Sequence, residues 1–336
     1  MKKRVTNWLQ REWYEKPSPN PFLIPLAATF RKIVTIRRWT YRRGVKRVSR
    51  LPVPAIVVGN LTVGGTGKTP LIVWLARFLK EKGFRPGIIS RGYGAARARQ
   101  PLQVFENSDP QDVGDEPLLI ARRTACPVFV FHQRVEAANA LLEKTGCNII
   151  LSDDGLQHYA LDRDLEIVVV DGSRRFGNGL CLPAGPLREP VERLNSVDMT
   201  VSSEATAPGA YAMFLEGEIA VNLQDESVKR PLESFCGHPF VAIAGIGNPG
   251  RFFRHLGTFG LQFDCREFPD HHRYRAEDLA FAEECSLVMT EKDAVKCVAF
   301  ANSNFWYVPV EARLPTEFGK NLLTLLKAKC DGQKIT

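Results

Sequence analysis

The sequence predicts an α/β fold, in which a mainly parallel sheet is covered by helices on both faces. Short apolar runs predict buried strands over residues 53–59, 148–151 and 165–171. Between and around them, helical periodicity occurs over residues 71–82, 115–124 and 134–144. Strands that alternate with helices in this way form parallel sheets, because each helix carries the chain back to the edge from which the next strand starts.

Composition places the chain among ordinary globular proteins. Of its 336 residues, 44% are hydrophobic and 24% are charged, which excludes collagen-like, coiled-coil and largely disordered chains. No run of about 18 uncharged apolar residues occurs, which excludes a polytopic membrane protein. The eight cysteines form no C-x-x-C pair, so we expect reduced thiols rather than a disulfide or zinc framework.

The length predicts about two domains, preceded here by a distinct N-terminal segment. We expect this segment over residues 1–50, a core over residues 51–225, and a smaller α/β domain over residues 226–336. In the smaller domain, strands are predicted over residues 286–289 and 305–310, and a strand with a glycine turn over residues 240–250 opens a helix.

Residues 1–50 combine positive charge with an apolar stretch flanked by aromatic residues. They hold 14 Lys and Arg against only Glu12 and Glu15. The apolar stretch is too short and too charged to span a bilayer, and it predicts a helix that lies in the membrane interface beside anionic lipids, with rings such as Trp13 and Trp39 at the headgroups. The alternative is an amphipathic helix docked on the protein itself. Because no nucleic-acid-binding motif accompanies the charge, we expect no nucleic acid partner.

A glycine-rich segment between the first predicted strand and the next helix has the pattern of a phosphate-binding loop. The glycines let backbone N–H groups close around phosphate oxygens, and the helix N-terminus adds its positive dipole end. Lys68 is expected at the β- and γ-phosphates and Thr69 at Mg²⁺, while Thr62 replaces the first glycine of the usual pattern. The expected nucleotide-binding residues are Thr62, Val63, Gly64, Gly65, Thr66, Gly67, Lys68 and Thr69.

Acidic residues follow another predicted strand and open a predicted helix. Asp153 and Asp154 follow the strand over residues 148–151, and carboxylates at a strand end beside a phosphate loop hold Mg²⁺ and its waters. The alternative is a surface turn. Asp115 stands at a helix start, where it is suited either to accept a proton from an acceptor hydroxyl or to cap the helix.

Two further loops carry candidate residues. Arg188, in a proline-rich loop over residues 182–190, is suited to stabilise charge on a transferring phosphoryl group or to form a surface ion pair. His271, in a loop over residues 268–274, is suited to orient a carboxylate base. The segment 290–293 follows a predicted strand, as does the base-reading loop of GTP-binding proteins.

Seven ordered strings of the sequence resemble the tetraacyldisaccharide 4′-kinase family, the lipid A 4′-kinases of Gram-negative bacteria. The strings include Gly114-Asp-Glu-Pro117 and Ser152-Asp-Asp-Gly-Leu-Gln-His158, and together they lie at residues 56–70, 89–94, 114–119, 152–158, 171–179, 183–189 and 289–296. The resemblance implies transfer of the ATP γ-phosphate to the 4′-hydroxyl of a tetraacylated glucosamine disaccharide 1-phosphate. It places this reaction at the cytoplasmic face of the bacterial inner membrane, on a peripheral or monotopic protein.

Carried over by position, the resemblance implies a role for each site residue. Asp115 becomes the catalytic base and His271 its support, with Lys68 and Arg188 at the transferring phosphate. Thr69, Asp153, Asp154 and Glu189 belong to the metal side. ATP and Mg²⁺ are the implied cofactors, and the acylated disaccharide lipid and the membrane surface are the implied partners of a protein that we expect to be a monomer.

Two further expectations concern domain movement and an alternative function. If His271 lies in the smaller domain, it reaches the reaction only when that domain closes over the nucleotide. The alternative function, from a different class, is a membrane-tethered regulatory P-loop NTPase whose hydrolysis drives a partner. ATP turnover that depends on a lipid acceptor favours the kinase, whereas equal turnover without it favours the NTPase.

Overall fold

A computed structural model describes residues 2–16, 18–93, 98–204, 207–282 and 285–330, with side chains from residue 8 onward. Gly94, which ends one of the family strings, lies outside these residues. The helices are α1 (Lys2–Tyr14), α2 (Ile24–Arg42), α3 (Lys68–Glu81), α4 (Pro110–Val113), α5 (Asp115–Thr124), α6 (Arg134–Lys144), α7 (Pro249–Gly257), α8 (Ala276–Leu279), α9 (Glu291–Ala294) and α10 (Thr316–Cys330).

The strands form two sheets, which confirms the expected α/β class. In chain order they are β1 (Ala55–Gly59), β2 (Pro86–Ser90), β3 (Leu102–Val104), β4 (Val128–Val130), β5 (Ile149–Ser152), β6 (Leu165–Asp171), β7 (Met199–Ser203), β8 (Tyr211–Glu216), β9 (Ile219–Asn222), β10 (Lys229–Pro231), β11 (Phe240–Ala244), β12 (Asp264–Glu267), β13 (Ser286–Thr290), β14 (Phe305–Val308) and β15 (Glu311–Arg313).

The first sheet has nine strands in the order β15-β8-β7-β6-β1-β5-β2-β4-β3. Its seven inner strands pair in parallel, and β3 and β15 close the two edges in antiparallel fashion. Alternate residues of the inner strands enter different cores, since Ile88 packs in the core that includes α3 and α5 and Ile89 packs in the core that includes α6. Burial on both faces explains why these strands are apolar runs without alternation.

The second sheet has six strands in the order β10-β9-β14-β13-β11-β12. Residue 225 was the expected boundary between the two domains, but the chain does not pass from the first sheet to the second at that residue. β9 already pairs with β14 of the second sheet, and β15 returns to the first sheet by pairing with β8. The helix α10 also packs against elements of the first sheet and its helices, because Phe318 is buried against the rings of Trp74 and Tyr211. The second sheet is therefore built by residues 219–308.

The N-terminal segment contains two helices, of which α1 was not predicted. One side of α2 is docked on the protein, since Ala27 is buried, Arg31 contacts Glu192 and Arg38 donates to Ser196. Other apolar residues of α2 are exposed. No helix in the described ranges is long and apolar enough to cross a membrane.

Trp13 does not stand where a ring at the headgroup level was expected. Its side chain is buried, and its indole N–H donates to the carbonyl of Pro183 at 2.9 Å. The aromatic residues that flank the apolar stretch therefore differ in their surroundings, because Trp39 is more than half exposed.

Candidate active site

The phosphate-binding loop joins β1 to α3 at the carboxyl edge of the first sheet. Gly67 precedes the first helical residue with a φ of +94°, and a Cβ there would stand 3.1 Å from the Met213 side chain. Glycine suits this position because other residues rarely adopt such a φ. Thr62 forms an antiparallel bridge with Leu187, and Val63 donates its backbone N–H to Pro186. Because Thr62 pairs as a strand residue does, its backbone conformation does not require a glycine.

Lys68 and Arg188 meet at the carboxylate of Asp154, so the structure brings three of the expected site residues together. The Lys68 Nζ lies 3.5 Å from Asp154 Oδ1, and Arg188 Nη1 donates to both carboxylate oxygens at 3.1 Å. Burial by itself raises the pKa of the Asp154 carboxyl, but the two cations more than offset this and hold the pKa well below its usual range. Asp154 is therefore ionised at neutral pH.

Asp153 is fully buried and only half satisfied. Ser90 donates to its Oδ2 at 3.1 Å, whereas Oδ1 has no hydrogen-bond partner within the described structure. Burial, together with the nearby carboxylates of Glu116 and Asp154, raises the pKa of Asp153 to about 7. A buried oxygen without a partner is costly, and a cation at this oxygen would satisfy it.

The backbone that carries Asp153 and Asp154 is held by Arg134, which sequence analysis did not single out. Arg134 is 3% exposed at the start of α6. Its Nη2 donates to the carbonyl of Asp153 at 3.0 Å, and its Nη1 donates to the carbonyl of Phe131 at 3.3 Å. Burial lowers the pKa of Arg134 to about 10, which leaves it charged at neutral pH. The only signal in the sequence was an arginine at the start of a predicted helix.

Asp115 and His271 form a pair across the two sheets, although 156 residues separate them. His271 Nδ1 lies 2.9 and 3.0 Å from the two carboxylate oxygens of Asp115, which is 4% exposed at the start of α5. Burial raises the pKa of Asp115, but the hydrogen bond from His271 and the charges of Lys292 and Lys296 outweigh it and lower the pKa to about 2. Asp115 also accepts the backbone N–H of Glu116 at 2.9 Å, so helix-terminal and site contacts coexist.

Two lysines of the string at 289–296 complete the surroundings of this pair, and sequence analysis did not select either. Lys292 Nζ lies 2.9 Å from Glu116 and 3.1 Å from Asp270. Lys296 Nζ lies 3.8 Å from Asp115 Oδ2. Both lysines belong to the part of the chain that follows β13, so the second sheet supplies cations to acids of the first.

The described contacts of Glu189 include neither Lys68 nor Asp154. It accepts a hydrogen bond from Tyr159 and one at 3.3 Å from Gln157, and it lies 3.8 Å from Arg193. Arg188 and Glu189 are adjacent in sequence and both contact Gln157, but of the two only Arg188 contacts Asp154 in the described structure. Within the described ranges, no group of three or more His, Cys, Asp or Glu side chains is arranged to hold a metal ion.

In the segment Thr290–Asp293, the first three residues line the cavity beside the phosphate-binding loop, but the carboxylate of Asp293 is bound within the protein. Asp293 is fully buried, and its carboxylate accepts from the backbone of Gly245 at 2.8 Å, from Thr290 at 2.6 Å and from Lys296 at 2.8 Å. These bonds occupy both carboxylate oxygens. Asp293 therefore joins β11 to α9 instead of offering a carboxylate to a ligand.

Two cavities meet at the start of α5. A cavity of about 210 Å³ lies between the phosphate-binding loop and the second sheet, and its lining includes Lys68, Glu116 and Arg251. A smaller one of about 60 Å³ is lined by Asp115 and His271, with Tyr93 at its side. Adjacent residues of one helix thus face different cavities, an arrangement that suits a donor on one side and an acceptor on the other.

Comparison with known proteins agrees over nearly the whole chain. A sequence model of the family described as tetraacyldisaccharide-1-P 4′-kinase matches residues 19–327. A tetraacyldisaccharide 4′-kinase of Nitrosococcus oceani is 51% identical over 317 residues, which are 94% of each chain. One of Methylobacillus flagellatus is 45% identical over 328 residues, which are 97% of this chain and 98% of that relative.

A solved structure is also similar. It is the crystal structure of an LpxK from Aquifex aeolicus in complex with ATP. It superimposes with a TM-score of 0.74 and is 28% identical in sequence, and the match covers 90% of this chain and 98% of that one. The similarity therefore includes both sheets and not only the phosphate-binding loop.

Replacing Arg134 with Met should weaken ATP binding at least tenfold, because the carbonyls of Phe131 and Asp153 lose their charged donor and the turn at Asp153 loosens. A hydrogen bond to a charged group contributes about 1.5–3 kcal/mol. Isothermal titration with Mg²⁺-ATP measures the change. Arg85→Met is the matched control, because Arg85 precedes β2 at the opposite edge of the sheet and donates to Gly146. Wild-type affinity in a folded Arg134→Met variant would contradict the prediction.

Proposed function

The chain belongs to the tetraacyldisaccharide 4′-kinase family, and on this basis we propose that it transfers the γ-phosphate of ATP to the 4′-hydroxyl of a tetraacylated glucosamine disaccharide 1-phosphate, a step of lipid A biosynthesis. The observation that carries the proposal is the position of the Asp115–His271 pair next to the phosphate-binding loop, with a cavity on each side of α5. A hydrolase needs only water at the γ-phosphate. An ionised carboxylate held by a histidine in a separate cavity suits an acceptor hydroxyl.

In the proposed reaction, Asp115 orients the 4′-hydroxyl and takes its proton. The 4′-oxygen forms a bond to the γ-phosphorus while the bond from that phosphorus to the β–γ bridging oxygen breaks, so that ADP leaves. The low pKa of Asp115 makes it a weak base, which suits a loose transition state in which the proton moves late. General-base assistance of this kind is typically worth about 10²–10⁴-fold in rate.

Lys68 and Arg188 are proposed to bind the phosphates on the other side of α5. Both cations already meet at Asp154, directly beside the phosphate-binding loop. A triphosphate entering the loop brings negative charge to this point, and both side chains can share their protons with it. Preorganised cations at the place where charge develops contribute more than mobile ones, because no reorganisation is needed during the reaction.

The site fits Mg²⁺, and we propose that Thr69, Asp153 and Asp154 hold it together with the phosphates. The buried, unpartnered Oδ1 of Asp153 is the observation that supports this, and Mg²⁺ is commonly bound through one or two carboxylates plus substrate phosphates. When bound, the ion supplies charge neutralisation at the phosphates. The contacts of Glu189 with Tyr159 and Arg193 favour a structural role for that residue instead.

The exposed face of α2 supports attachment to a membrane surface. Leu26, Ile33 and Ile36 of α2 are 57%, 58% and 60% exposed, and Phe22, which precedes the helix, is 85% exposed. A substrate with four acyl chains stays in the bilayer, so an enzyme that acts on it gains from an apolar face beside basic residues. We infer that the protein acts as a monomer, peripheral or monotopic, at the cytoplasmic face of the inner membrane.

A transfer assay separates this function from the alternative of a regulatory P-loop NTPase. Purified full-length protein is incubated with γ-labelled ATP, Mg²⁺ and a detergent-dispersed acylated disaccharide 1-phosphate. The kinase yields labelled lipid, and its ATP turnover requires the acceptor. Labelled inorganic phosphate at the same rate with and without the lipid would favour the NTPase.

In that assay, Asp115→Asn should lower kcat at least a hundredfold and leave the affinity for ATP within about twofold, because the amide cannot take the proton of the hydroxyl. The matched control is Asp112→Asn, an exposed acid on the preceding short helix α4. An unchanged kcat in Asp115→Asn would return Asp115 to the role of a helix-terminal residue.

Replacing Leu26, Ile33 and Ile36 together with Ser should reduce binding to vesicles that contain anionic lipid at least tenfold. Burying an aliphatic side chain is worth about 1.5–3 kcal/mol, and these three residues share the exposed face of α2. Co-sedimentation with the vesicles measures binding, and ATP affinity reports the fold. The control replaces Phe214, Val228 and Val298 with Ser. These three residues are also exposed, but they lie outside α2. Equal vesicle binding by the two triple variants would refute the role of α2.

A further inference from the structure

Lys292 stands at the junction between the two halves of the site. It belongs to α9, next to the second sheet, and its Nζ contacts a carboxylate of each half: Glu116 on α5 at 2.9 Å and Asp270 in the loop before His271 at 3.1 Å. The same Nζ lies 3.5 Å from His271 Nε2. Its side chain is largely buried, so these contacts are poorly screened by solvent.

The contact with His271 has a consequence for the position of the proton on the ring. An ammonium group carries only donors and has no lone pair. Beside it, Nε2 of His271 is stable as an acceptor and unstable as a protonated nitrogen. The proton of the neutral ring then resides on Nδ1, from which it is donated to Asp115 at 2.9 Å.

The other charged groups around His271 act in the opposite direction. Asp115 from α5 and Asp270 from its own loop both favour a doubly protonated ring, and Asp270 Oδ1 lies 3.7 Å from Nε2. Burial lowers the pKa of His271, the hydrogen bond with Asp115 outweighs this and raises it, and Lys292 lowers it. Lys296 lies near Asp115, the ring of Tyr93 lies 4.8 Å from the imidazole centroid, and Arg273 lines the same cavity as His271. Lys292 is thus a cation in direct contact with Nε2.

We propose that Lys292 is a positioning residue for the Asp115–His271 pair: it keeps the proton of His271 on Nδ1 and ties the loop of His271 to α5 through Glu116 and Asp270. A neutral imidazole supports Asp115 without neutralising it, whereas an imidazolium would bind the carboxylate as an ion pair and reduce its ability to take a proton. The effect on catalysis rests on the proposed function, but the tautomer of His271 does not.

A purely structural role for Lys292 makes a different prediction, and the structure offers a control for it. Arg123 on α5 donates to Glu291 of α9 at 2.7 Å, so a second buried ion pair joins the same two helices one residue away from Lys292. The described contacts of Arg123 include none with His271. If Lys292 acts only as a tether, the loss of either ion pair should have the same consequences.

The experiment compares Lys292→Met, Lys292→Gln and Arg123→Met in the full-length protein. The pH dependence of kcat is measured with Mg²⁺-ATP and the lipid acceptor, and ¹⁵N NMR of labelled histidine reports the tautomer of His271 without substrate. His271→Asn assigns the signal. Removing the positive charge stabilises protonated His271, so its pKa rises and the acidic limb of the profile moves to higher pH.

In Lys292→Met, we expect the acidic limb of the pH profile of kcat to move upward by about 0.5–1 pH unit. We also expect that His271 no longer occurs as the Nδ1–H tautomer alone. Lys292→Gln keeps an N–H but loses the charge, so its limb should move while the proton stays on Nδ1; it also serves if the Met variant does not fold. Arg123→Met should change neither readout.

Two outcomes would overturn the proposal. One is that neither the acidic limb nor the tautomer changes in the Lys292 variants, and the other is that Arg123→Met shows equal shifts. Absence of lipid labelling by the wild type would instead refute the proposed function, and the tautomer would still decide the role of Lys292.

Discussion

Cancellation of charge in a buried site is the constraint on which the rest of the structure depends. Acids and cations alternate around the start of α5 and the end of β5: the acids are Asp115, Glu116, Asp153 and Asp154, and the cations are Lys68, Arg134, Arg188 and Lys292. Removing one member of a buried ion pair leaves its partner uncompensated, at a cost of about 3–5 kcal/mol. Among these four acids, Asp153 alone keeps a buried carboxylate oxygen without a hydrogen-bond partner in the described structure, and this oxygen is the point where a cation is proposed.

The same constraint explains how the two sheets cooperate. Glu116 needs Lys292, and Asp115 needs His271, yet each partner arrives from the part of the chain associated with the second sheet. The chain then returns to the first sheet, where α10 packs on α3. Both contacts are formed in the described structure, so largely buried hydrogen-bonded pairs join the two halves of the site.

Sequence alone predicted the parts of the site that depend on local pattern. Glycines between an apolar strand and a helix define a phosphate-binding loop, and the acids after β5 follow from the same topology. It could not decide whether Asp115 caps a helix or serves the site, because its partner is 156 residues away. Arg134 and Lys292 were not predicted as site residues, because a single basic residue on a helix has no spacing that distinguishes it from a surface residue. Glu189 was placed at the metal side, but in the described structure it contacts Tyr159 and Arg193, whereas Arg188 contacts Asp154. The local pattern of the sequence carries no signal for these partners.

The N-terminal helices show why two interpretations of one pattern need not exclude each other. An amphipathic helix was expected either in the membrane interface or on the protein itself. In α2, Ala27 and the partners of Arg31 and Arg38 define a docked side, while Leu26 and Ile33 lie on a side that the described structure leaves exposed. A helix fixed to the body by one face and apolar on another can hold a catalytic site at a constant distance from a lipid surface. Such a fixed distance matters when the acceptor hydroxyl belongs to a headgroup, because a site on a free tether would have to search for it.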